Sequence, residues 1–103
     1  MQMSFINQRN KGLNSYFVDE SLSKESISIH ISELEPGKSS HEPHAHNGIE
    51  SYYVLSGRLA ITLGEEVLAL SQNEAASINA RRPHKVTNSG DAINRYMVII
   101  AKQ

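Results

Sequence analysis

Cysteine and tryptophan are both missing from the 103 residues. The first absence excludes disulfides, thiolate metal ligands and a cysteine nucleophile together. Any chemistry is carried by oxygen and nitrogen. An excess of one charge is missing too, since ten Lys and Arg stand against eleven Asp and Glu. A sequence-independent nucleic-acid binder needs a basic surface to displace counterions, and a membrane-surface protein needs a polybasic patch. Neither nucleic acid nor membrane is therefore an expected partner. No stretch approaches the roughly 20 apolar residues that cross a bilayer. Met1 to Arg9 holds no apolar segment of the signal-peptide kind. The expected location is cytoplasmic.

Helical periodicity is also lacking, with no sustained apolar run at i, i+3, i+4 and i+7. What recurs is alternation. Ile27-Ser28-Ile29-His30-Ile31-Ser32 has period two, as a half-buried strand requires. Tyr52–Leu55 and Arg58–Leu63 are β-rich and flank the turn signal Ser56-Gly57. Val67–Leu70, Ala75–Ile78, His84–Thr87 and Ile93–Ala101 continue the series, with turns at Ser71–Glu74 and Asn88–Asp91. Short strands punctuated this often predict an all-β sandwich or barrel. The length allows one domain, with residues 1–14 a loosely held polar lead-in and 27–101 the barrel. A unit this small leaves an outer sheet face uncovered. Tyr53, Leu55 and alternate members of Ile93–Ala101 are expected to be buried in an isologous homodimer.

The chemistry concentrates in histidines. In Pro43-His44-Ala45-His46 two imidazoles sit at i and i+2, so on a strand they leave one face, and Glu50 follows close behind. Two imidazoles and a carboxylate suit a divalent transition metal. Asn47-Gly48, however, is a two-residue hairpin signal that would turn Glu50 to the face opposite both histidines. A metal site requires His46 opposite Glu50 across a three-residue or bulged loop. His41, beside Glu42, reads as a surface residue. His30 faces outward if Ile27, Ile29 and Ile31 face the core, and a polar lumen would reverse that. Tyr52 shares a face with Glu50 and Val54, and either offers its phenol to a substrate or simply fills the barrel. Arg81 and Arg82 greet an anionic substrate or belong to a solvated loop. Asn88 closes a turn through its side chain. No Ser-His-Asp set or phosphate-binding glycine loop is present.

The run from Gly37 through His44-Ala45-His46, Glu50 and Gly57 resembles the first motif of the cupin superfamily, and Pro83-His84-Lys85-Val86-Thr87-Asn88 resembles the second. Three departures accompany it: Gly37 lies one residue further from His44 than the family's spacing, Asn73-Glu74 replaces a Gly-Asp turn, and Asn79–Arg82 stands where a Pro and a Gly are common. The resemblance covers Ile27 to Ala101 and implies a small jelly-roll barrel. It further implies one divalent ion (iron, manganese, nickel or zinc) held by His44, His46, Glu50 and His84. By the same resemblance the chain is a metal-dependent enzyme acting on a small polar organic molecule, as a dioxygenase, isomerase, lyase or decarboxylase would. Tyr52 is then a candidate catalytic group. The alternative implied function is a non-catalytic module that senses or binds a small ligand.

Overall fold

A computed structural model describes residues 7–18 and 26–102. Among these residues nine strands, all paired antiparallel, form two sheets. They are β1 (Asn7–Lys11), β2 (Asn14–Val18), β3 (Ile27–Ser32), β4 (Ile49–Ser56), β5 (Leu59–Leu63), β6 (Glu66–Leu70), β7 (Ala75–Asn79), β8 (His84–Thr87) and β9 (Arg95–Ala101). One sheet runs β1-β2-β3-β9-β4-β7 and the other β6-β5-β8. The two face each other as a jelly roll.

Strand alternation decides which side chains meet between the sheets. On β4, Glu50, Tyr52 and Val54 are buried while Ile49 and Tyr53 are exposed. The core joins Tyr52, Val54, Tyr96 and Val98 of the larger sheet to Leu59, Ile61, Leu70 and Val86 of the smaller. Each buried Val or Leu side chain contributes about 1.5–3 kcal/mol through apolar area removed from water.

At one end the sandwich is closed by two buried asparagines. Asn88 donates from Nδ2 to the Leu34 and Ala92 carbonyls and accepts the Gly90 N–H at Oδ1, as a turn-closing side chain should. Asn94 accepts the Leu34 N–H and donates to the Arg58 carbonyl. The Ser71–Glu74 turn forms with Asn73 at a φ of 65°, and the Glu74 carboxylate accepts the Ser71 N–H.

One expectation needs correction. Within the polar lead-in, residues 7–11 form β1, paired residue by residue with β2 across a turn at Gly12. A ladder of backbone hydrogen bonds supplies what the missing apolar alternation does not. Residues 1–6 of that lead-in lie outside the described residues. The orientation of His30, open in the sequence, is decided by the cavity. His30 lines the interior together with Tyr52 and Val98, so by alternation Ile27, Ile29 and Ile31 leave the opposite face, where Ile27 is exposed and Ile31 is buried. Along β3 the inward residues Ser28, His30 and Ser32 are polar and the isoleucines leave the other face.

Candidate metal centre

Three different pieces of backbone converge at the rim opposite the asparagines. Glu50 projects inward from β4, between Ile78 of β7 and Ile100 of β9. His84 opens β8 in the other sheet. His44 and His46 lie on neither sheet but on an extended segment laid against the start of β8. The His44 and His84 backbones exchange hydrogen bonds of 3.1 and 2.8 Å, and the His46 N–H reaches the Ala80 carbonyl at 2.9 Å. The sequence-based hairpin question is resolved this way: His46 and Glu50 are not paired across a loop at all. Gly48 turns the chain at a φ of 115°, a conformation that side-chain-bearing residues rarely adopt. A Cβ there would also collide with the Ala101 carbonyl oxygen.

One ligand atom from each of His44, His46, Glu50 and His84 lies within 4.8 Å of all the others. Ligand atoms about 2.1 Å from one octahedral ion lie between ~3.0 and ~4.2 Å apart, so only a small contraction is needed. The three imidazoles meet edge to face, with centroids 4.7 to 5.2 Å apart.

The hydrogen bonds around the rings aim them. His84 Nδ1 lies 2.8 Å from the Arg82 carbonyl, which can only accept, so Nδ1 carries the proton. In the neutral ring Nε2 is then a lone pair. That atom is buried, has no hydrogen-bond partner among the described residues, and stands 3.4 Å from Glu50 Oε2. His46 repeats the pattern less tightly, with Nδ1 at 3.3 Å from the Asn47 carbonyl and Nε2 at 3.0 Å from Glu50 Oε1. In the neutral rings two imidazole lone pairs face one carboxylate, and they repel unless a proton or a cation lies between them. This donor set fits a divalent cation, and the carbonyls behind it fix the tautomer as such sites require.

Tyr52 is buried and donates its hydroxyl to Glu50 Oε2, holding the carboxylate in place. His44 is the exposed member. Desolvation of the ring and then the neighbouring His41, His84 and His46 hold its pKa below the ordinary histidine value. His41 is exposed, as expected of a surface residue, and its ring stacks on that of His44 at 3.7 Å. It also lines the cavities on both sides of the cluster, so it forms their shared rim. Arg82 ion-pairs with Glu66 at the surface and meets the cluster through its backbone carbonyl. Arg81 is exposed and lines neither cavity beside the cluster.

The cavity toward the sandwich interior holds about 640 Å³ and reaches His30, Tyr16, Tyr52 and Tyr96. Burial pushes the Tyr96 hydroxyl up to about 12. A second, more open cavity of about 540 Å³ lies on the other side, toward Asn47, Ile100 and Lys102. Glu50 borders both.

The family model described as "Cupin domain" matches residues 30–100. Among curated proteins no match was found. Solved structures are similar throughout the fold. A conserved protein of unknown function from Streptococcus pyogenes shares 18% identity at a TM-score of 0.80, covering 98% of this chain and 96% of its own. The cupin domain of an XRE-family transcriptional regulator from Enterobacter cloacae shares 24% at 0.69, covering 82% and 87%. A predicted oxalate decarboxylase from Thermotoga maritima shares 18% at 0.76, covering 87% and 79%. At these identities the likeness is one of fold.

Proposed function

Because the chain belongs to the cupin domain family, we propose that it holds one divalent transition metal ion at His44, His46, Glu50 and His84 and acts on a small polar organic molecule in the adjoining cavity. The observation that carries this reading is the buried, unpartnered His84 Nε2 facing Glu50 Oε2. An apolar pocket would not retain so costly an atom. Bound there, the ion would act as a Lewis acid toward oxygen atoms of the substrate and stabilise the negative charge that develops on them. The chain's own residues do the rest. His84 and His46 are aimed by the Arg82 and Asn47 carbonyls, and Tyr52 fixes Glu50. Tyr52 Oη lies between that carboxylate and the inner cavity, and is the proton-carrying group we assign to the reaction. The chain works in the cytoplasm on this reading, as an isologous dimer. Tyr53, Met97 and Ile99 on the outer face of the larger sheet support the dimer.

Elemental analysis of chain purified without chelators tests the ion directly. About one first-row divalent ion per chain is expected, lost with His46→Ala and retained with His41→Ala. Equal loss from both variants refutes the ligand assignment. The likeness to a regulator's cupin domain supports a second reading, a ligand-sensing module that binds the same class of molecule without turning it over. Turnover of bound ligand by the metal-loaded chain separates the two.

A further inference from the structure

The larger sheet carries a second group of polar side chains that the histidine cluster does not use. Register places Tyr16 on β2 opposite His30 on β3, His30 opposite Val98 on β9, and Val98 opposite Tyr52 on β4. Residues in one such row share a face of the sheet, and all four line the inner cavity. Two strand spacings of about 4.8 Å separate His30 from Tyr52. His30 therefore stands across the chamber from Glu50, with the Tyr16 ring tilted against it at 5.1 Å. Burial lowers its pKa. At neutral pH it is an uncharged imidazole with one donor and one acceptor.

The charges around the chamber limit what that imidazole meets. Lys11, Glu33 and Glu50 line it, with His41 at its rim. A divalent ion and Lys11 against the two carboxylates leave one net positive charge, and the far wall has none of its own beyond Lys11. This suits a monoanion whose acid end lies at the ion and whose remainder is neutral. A dicarboxylate would bring its second charge to a wall where Lys11 is already offset by Glu33 and where His30 is neutral. Hydroxyl and imidazole groups (Tyr16, His30, Ser32 and Tyr96) line that end, so the neutral remainder is hydroxylated.

We propose that His30, with Tyr16 beside it, determines specificity by hydrogen-bonding the hydroxylated end of a monoanionic polyhydroxy acid whose carboxylate lies at the histidine cluster. The inference rests on the reading of that cluster as an ion site. The matched family region begins at residue 30, so the hairpin that brings Tyr16 and Lys11 lies outside it.

Titration calorimetry of the manganese-loaded full chain with D-gluconate, glycolate and glutarate is the test. Gluconate is expected to bind more tightly than glycolate or glutarate. His30→Leu should weaken gluconate roughly tenfold, the loss of one or two hydrogen bonds, while leaving glycolate affinity and manganese content unchanged. His30→Gln, which keeps a donor and an acceptor, should restore most of the affinity. Equal losses for gluconate and glycolate, no loss for gluconate, or a preference for glutarate would each overturn the assignment. If the wild-type chain takes up no manganese, the ion reading fails by itself. Gluconate binding by that metal-free chain then decides His30: dependence on the residue upholds its role, and no binding overturns it.

Discussion

Replacing His84 by leucine should reverse the stability order of variant and wild type according to whether metal is present. In the metal-free protein Nε2 of His84 is a buried acceptor without a partner, which costs about 1–3 kcal/mol. Leucine removes that atom at similar volume. It also removes the 2.8 Å bond from Nδ1 to the Arg82 carbonyl, a loss of about 1 kcal/mol. The metal-free variant should thus match or exceed the wild type by up to about 2 kcal/mol. Metal changes the balance. An ion at 100 times its dissociation constant adds about 2.7 kcal/mol to the form that binds it. For a domain of this size that raises the midpoint by about 10–20 °C. Wild type should gain this shift, and His84→Leu should gain almost none. Thermal unfolding followed by circular dichroism, with chelator and then with added manganese or zinc, measures both arms. A variant that is more than 1 kcal/mol less stable than wild type without metal would show that Nε2 carries no penalty. A variant that keeps the full metal shift would show that His84 is not a ligand.

Tyr52→Phe keeps all four donors but frees the Glu50 carboxylate, so metal affinity should fall roughly 10- to 100-fold with stoichiometry unchanged, as competition against a chelator would report. Burial lowers the His30 pKa, so the unfolded chain binds the extra proton and stability should decline as pH falls below the ordinary value of 6.5. That acid-side loss should persist in metal-free protein and shrink in His30→Gln; thermal midpoints at pH 5 to 8 that do not differ between the two chains would contradict it. Sedimentation at micromolar concentration should give the mass of two chains, and Ile99→Lys on the outer face should return it to one.

Strand positions were legible in the sequence because alternation and turn chemistry agree there. Ile27–Ser32 and His84–Thr87 carry the same limits in both readings. The phase of alternation was not legible for β3, where both faces of the sheet hold aliphatic residues. Ile29 and Ile99 pair on the outside while Val98 and Tyr52 pair inside. Period two then gives a strand but not its inner side, and both orientations of His30 stand open in the sequence. The cavity decides between them. For the cluster, the motif spacing picked out His44, His46, Glu50 and His84 without supplying the geometry that joins them. The segment bearing His44 and His46 is held by backbone bonds to Ala80 and His84, contacts 34 and 40 residues away that no local turn rule reports. β1 was missed because its residues are polar and its ladder is satisfied by backbone alone.

Among the described residues the hairpin of β1 and β2 pairs with the rest of its sheet through β3. It supplies Lys11, Asn14 and Tyr16 to the chamber, yet none of the four convergent ligand residues. On the proposed reading, part of the recognition surface is thereby carried by a piece of the chain separate from the ligand residues, while His30 stays on β3. A hairpin of different sequence or length could be exchanged at this position, altering which molecule is admitted while the histidine cluster and the core beneath it stay as they are. The same separation gives a practical entry point for redesign: libraries confined to residues 11–16 would search ligand preference without drawing on the residues that hold the two sheets together.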